Sequence, residues 1–106
     1  MLKPIDHFSY ELADFVQPTD TELALCHKAV RRLNELSEGD HTYMVLSWND
    51  KYEVVKFTKT AELKGHKVTV ERDVENKGSK NFPRGACVKF EWVQSVLDEY
   101  IGQRGK

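Results

Sequence analysis

The sequence predicts a mainly β domain with some helix, an α+β fold: a small, partly open antiparallel β-barrel with one helix between its early strands and an amphipathic helix at the C-terminal end. Three observations carry this. Short runs of alternating apolar and polar residues fill the stretch from Tyr52 to Val88, as half-buried strands require. A β-rich run, HTYMVLSW, leads through Asn49-Asp50 into the first of them, which is the pattern of a hairpin. Two other stretches space their apolar residues as helices do. The 106 residues suffice for one domain with a single modest core, divided into an arm (1–18), a β-rich core (19–92) and a C-terminal helix with its tail (93–106).

In chain order, Phe8, Leu12 and Phe15 with Val16 recur at helical spacing until Pro18 stops the run. This predicts an arm with a turn or two of helix, covering an open end of the core or contacting a partner subunit. Residues 19–37 admit two readings. Thr21, Leu23 and Leu25 alternate as a strand would, followed by a helix from about His27 to Ser37. The second reading is one helix ending at Gly39, entered by a Thr19–Glu22 capping box, with Cys26, Ala29, Val30, Leu33 and Leu36 on one face. Strand followed by helix is the version adopted. After Gly39-Asp40 comes the hairpin, with Met44 and Leu46 or Tyr43 and Val45 toward the core.

In YEVVKFTK, Val55 and Phe57 project to one side and Val54, Lys56 and Thr58 to the other. HKVTVERD places Val68 and Val70 together, with Gly65 as a turn before it. ACVKFEW points Val88, Phe90 and Trp92 inward. Between the last two lies a long polar loop closed by Phe82-Pro83-Arg84-Gly85, where Pro and Gly fix a turn. Beyond Trp92, an apolar stripe of Val93, Val96, Leu97, Tyr100 and Ile101 predicts a short helix closed by Gly102. Such a helix is unstable alone and must dock. Val93 and Leu97 are expected against the domain, with Tyr100 and Ile101 left toward a partner.

Composition narrows the function. Cys26 and Cys87 are expected as reduced, small core or near-core residues. No run reaches membrane-spanning length, and MLKPIDHF lacks the character of a secretory signal, so a soluble, cytoplasmically made protein is expected. His7, His27, His41 and His66 are scattered, and neither a nucleophile elbow nor a phosphate-binding glycine loop is present. The expectation is a protein without enzymatic activity, metal or cofactor. Residues 1–50 carry four Lys or Arg against nine Asp or Glu, and residues 51–106 carry twelve against eight. That asymmetry favours association with copies of the chain or with a similar neighbour. Lysines cluster in the second half, as in strand-binding β-barrels, but acidic residues are interleaved with them and core packing uses Phe57, Phe90 and Trp92, which weighs against nucleic-acid binding.

The segment RDVENKGSKNFPRGACV, Arg72 to Val88, resembles a motif of small β domains in bacteriophage tail, baseplate and tail-fibre attachment proteins, of approximate form RGxEGTxxxxWPAGxxV. Register is kept without a gap. Arg72, Glu75, Pro83, Gly85 and Val88 match, Phe82 stands at the aromatic position, and YEVVKFTK is similar to the YEIVKVT strand that precedes the motif. PTDTELAL, LNELSEGDHTYMVL and IDHFSYELA extend the likeness over roughly residues 5–92. Asp73 and Asn76 stand where the pattern has glycine and Lys77 where it has threonine; Asn is the residue that best tolerates a left-handed backbone.

The resemblance implies a virion structural protein, a tail-tip, baseplate or tail-fibre adaptor in several copies, a trimer among them, made in the host cytoplasm and without catalysis. Its implied partners are other tail or baseplate proteins and copies of itself. The interaction residues expected are Arg72, Glu75, Asn76, Lys77, Phe82, Pro83 and Gly85 of the loop, with Tyr100 and Ile101 of the helix. The alternatives are a small nucleic-acid-binding β-barrel and a small phage or bacterial regulatory protein that binds a host partner.

Overall fold

The computed structural model describes residues 1–104. Along the chain lie β1 (Ser9–Glu11), β2 (Glu22–Ala24), α1 (His27–Asn34), β3 (His41–Trp48), β4 (Lys51–Thr58), β5 (Lys67–Thr69), β6 (Cys87–Lys89) and α2 (Gln94–Arg104). This is a small α+β domain. Its strands form an antiparallel four-stranded sheet, β1-β6-β3-β4, and a two-stranded one, β2-β5. The expected barrel does not close. Among the described residues, β4 is joined to the chain after β5 by the Lys56–Glu71 bridge and the Val74 amide, bonded to the Val54 carbonyl at 3.2 Å, and the β1 side is joined to β2 by the Ala13 amide, bonded to the Ala24 carbonyl at 2.9 Å. Strands of three residues are too short to continue either seam, and the link after β4 is pulled toward α1, where Asn34 bonds both the amide and the carbonyl of Leu63.

Alternation in the β3–β4 hairpin sets the two faces. Thr42 opposes Phe57, Met44 opposes Val55 and Leu46 opposes Glu53 on the inner face. There Met44, Leu46, Val55 and Phe57 join Val88, Val68 and Val70 in one core, capped by Ala29, Val30 and Leu33 of α1. The strand-then-helix reading of residues 19–37 is the one observed, and Asn49 takes the positive φ (54°) of the hairpin turn. Lys59, itself buried, donates to the carbonyls of Asn34 and Leu36 at 3.0 and 2.9 Å, satisfying acceptors that the end of α1 leaves free.

The outer face carries His41, Tyr43 and Val45 with Val54 opposite. Through Glu99, α2 is bonded to His41 and Tyr43 of this face, and Val54, a residue the alternation had placed outward, is buried.

Several expectations are corrected. The N-terminal segment is extended and not helical: Phe8, Leu12 and Val16 are four apart, a spacing that also suits a strand, and the backbone bonds to β6 and Phe82 decide between the two. Phe15, expected in the apolar set, is left exposed. Both cysteines are exposed, Cys26 at the start of α1 and Cys87 on the outer face of β6. Trp92 does not point into the core, because β6 ends at Lys89; it is exposed, edge-on to Phe90 and Tyr100. Gly102 does not close α2, which runs on to Arg104; of the stripe, Val96 alone is fully buried.

Candidate functional site

A carboxylate that the strand pattern forces inward organises the candidate surface. Glu53 is in phase with Val55 and Phe57 and is buried, so its charge must be compensated. The Arg72 Nε and Nη2 donate to its two oxygens at 2.6 and 2.8 Å, in the two-pronged geometry that suits guanidinium and carboxylate. Backbone amides of Asp73 and Lys80 add bonds of 3.0 and 2.8 Å. Burial alone would push the Glu53 carboxyl up, but these donors outweigh it and hold it below the usual carboxylate range. Arg72 uses its remaining donors on the carbonyls of Gln17, Asp20 and Lys80, at 2.7 to 2.8 Å. One ion pair thus ties together β4, both ends of the 72–80 loop and the 17–20 turn.

Inside that frame the loop closes on itself. Asp73 accepts the amides of Lys77 and Gly78 on its two carboxylate oxygens, both at 2.8 Å, and its carbonyl accepts the Asn76 amide. Asp73 and Asn76 have φ of 51° and 58°, so the left-handed turns survive without glycine. The Lys77 ammonium donates to the Tyr52 hydroxyl at 2.6 Å, and this bond, with the nearby Glu75, pushes its pKa up. On the far side, Phe82 is buried and exchanges backbone bonds with Val16, and Lys51 sits 5.2 Å from its ring centre. Gly85, at φ 93°, completes the turn after Pro83 and donates to Leu12.

The predicted interaction residues therefore divide. Arg72 and Phe82 point inward, and Pro83 and Gly85 shape the turn. Glu75 accepts a bond from Ser95 Oγ at 2.9 Å, linking the loop to the first turn of α2. Asn76 and Lys77 form the exposed tip, beside Tyr52 and near the hairpin end that carries exposed Trp48. On α2, Tyr100 is half-buried between Trp92 and Arg104, and Ile101 is exposed.

Sequence reasoning missed Glu53, although its phase with the core residues of β4 signalled it. It also missed the attachment of α2. Glu99 accepts from Tyr43 at 2.6 Å and lies 2.5 Å from His41 Nε2, while the Gln103 amide pairs with both the amide and the carbonyl of Leu2. Burial would push the Glu99 carboxyl up, but the bonds from Tyr43 and His41 hold it down; burial first, and then Glu99, raise the Tyr43 phenol. No local pattern marks partners 56 and 58 residues apart.

Among the described residues, no group of three or more His, Cys, Asp or Glu side chains could hold a metal ion, and no helix is long and apolar enough to cross a membrane. A shallow hollow of about 390 Å³ is lined by the charged residues Lys3, Arg32, Glu35 and Asp40 together with Ser37. No family model matches the chain, and no curated protein matches it.

Proposed function

We propose that this protein is a non-enzymatic structural adaptor of a bacteriophage tail, at the tail tip, baseplate or tail-fibre attachment, which works in several copies and presents its 72–85 loop to a neighbouring tail protein. One observation carries the reading. The tail-protein pattern that residues 72–88 resemble has glycine at two loop positions, and the residues here at those positions, Asp73 and Asn76, both take the left-handed backbone for which glycine is otherwise chosen. A backbone that glycine at these positions would permit is thus used here by other residues, which supports the likeness. Its arginine has a role in the fold as well, because Arg72 fixes the loop on Glu53.

A rigid frame with a short exposed tip suits docking, since little ordering is needed on contact. The lysines weigh against nucleic acid as the target: Lys51, Lys59, Lys77 and Lys89 are engaged by Asn81, by the end of α1, by Tyr52 and by Glu91. Mass spectrometry of purified particles tests the reading. The adaptor should co-purify with tails in a fixed ratio to a baseplate protein, and Asn76→Ala with Lys77→Ala should lower that ratio while the isolated protein stays folded. Absence from particles that contain every other tail protein would refute it.

A further inference from the structure

Two histidines far apart in the sequence meet on the surface. His27 opens α1 and His66 directly precedes β5; their ring centres are 4.2 Å apart and their planes 52° from parallel. Both residues are exposed, so the packing of the core does not require the contact. His66 is held at two points: its carbonyl accepts the Leu25 amide at 2.9 Å, and its ring Nδ1 donates to the Leu25 carbonyl at 3.2 Å. A carbonyl only accepts, so Nδ1 carries the proton and Nε2 keeps its lone pair. A backbone carbonyl on the far nitrogen is the usual orienting contact of a metal-bound histidine. Among the described residues, the His27 ring makes no hydrogen bond and packs on His66, so it can turn a nitrogen toward the same point.

We propose that His27 and His66 form a two-imidazole site for a divalent transition metal, Cu2+ above the others. The separation of the rings selects the ion. A nitrogen about 2.0 Å from a metal puts its ring centre about 3.2 Å away, and two centres 4.2 Å apart then subtend about 80° at the ion. That is near the right angle between neighbouring ligands of square-planar copper and about 30° short of the tetrahedral angle of zinc. Copper is also the first-row divalent ion that nitrogen ligands hold most tightly. The positive end of α1 and the neighbouring Lys28 and Lys67 oppose a cation, but both lysines are exposed and solvent screens them. Two side chains are fewer than the three of a more complete site, so affinity is modest; the other positions take water and stay open to a donor from another molecule. The site goes beyond the adaptor reading and does not rest on it.

Isothermal titration calorimetry with Cu2+ tests the site, in a Cys26→Ser, Cys87→Ser background because exposed thiols would reduce the ion. One ion per chain should bind, more tightly than Zn2+, and its electron paramagnetic resonance spectrum should show coupling to two imidazoles. His27→Ala, which removes no hydrogen bond, should weaken binding by about tenfold or more and leave one imidazole in the spectrum. His66→Ala should do the same, and His7→Asn, at an exposed position away from the pair, should change neither. Circular dichroism checks the fold; should His66→Ala lose it with its bond to Leu25, His27→Ala alone decides. Absence of binding, Zn2+ held as tightly as Cu2+, an unchanged spectrum in His27→Ala, or an equal loss in His7→Asn would overturn the proposal.

Discussion

Two carboxylates fasten the polar parts of this fold, Glu53 under the 72–85 loop and Glu99 under α2, and they do so in different surroundings. The side chains of Glu53 and Arg72 are 1% and 6% exposed, and the pair is enclosed by backbone donors and acceptors. Those of Glu99 and His41 are 37% and 16% exposed, at the margin of a helix with one fully buried residue. Burial raises both the cost of losing a partner and the Coulombic strength of keeping it, whereas solvent screens the second pair. The loop is therefore expected to be as durable as the domain, and α2 to be its most easily detached element.

Removing the buried cation should have the largest effect. Arg72→Ala leaves a carboxylate stranded in the core and takes a donor from three carbonyls, of which that of Gln17 keeps the Asp20 amide, and this should cost about 3–5 kcal/mol by urea unfolding. That is a large part of the stability of a domain this size. Replacing both Glu53 and Arg72 by methionine removes the stranded charge, yet should recover only part of the loss, because the Asp73 and Lys80 amides then lack an acceptor. Full recovery would mean that the pair is electrostatic decoration and not the frame of the loop.

Acid should separate the two regions next. The Glu53 carboxyl is held below its unfolded value of about 4.3, so its contribution is complete above that pH and is lost as pH falls through the lower, folded value. Glu99 has the same sign, but its exposure limits what it can contribute. Unfolding free energy measured from pH 6 down to pH 2 should drop less steeply in Glu53→Gln than in the unaltered protein, and almost unchanged in Glu99→Gln. Equal flattening by both variants would contradict the contrast.

At neutral pH, Glu99→Gln should release α2 with about 1 kcal/mol or less lost from the domain. In a Trp48→Phe background, Trp92 fluorescence should report the loss of its contact with Tyr100 while the main melting transition stays in place. The smallest change expected is at Thr42, whose buried hydroxyl has no partner among the described residues. Thr42→Val keeps the shape and removes that unpaired group, so stability should stay level or rise by up to about 1 kcal/mol.

What could be seen in the sequence followed the range over which each signal acts. The hairpin, α1 and the existence of α2 rest on periodicity within a few residues, and all three were legible. The two-sheet arrangement was not, because the failure to close depends on where single bonds such as Ala13 to Ala24 stop. Phe8, Leu12 and Val16 misled because a spacing of four suits both helix and strand. In the loop, the turn chemistry of Asn76 and Gly85 was readable and that of Asp73 was not, while Arg72 and Phe82 proved inward-facing because their partners, Glu53 and Val16, lie 19 and 66 residues away.

Hydrogen exchange at two amides tests the claim that the buried pair holds the loop. The Asp73 and Lys80 N–H groups donate to Glu53, while those of Lys77 and Gly78 bond to Asp73 at the exposed tip. If Glu53 and Arg72 form the frame, Asp73 and Lys80 exchange only with global unfolding, at the rate of core amides such as Val55, and Lys77 and Gly78 exchange faster by about tenfold or more. Exchange of all four at one fast rate would show that the loop opens independently of the core and that the frame described here does not hold it.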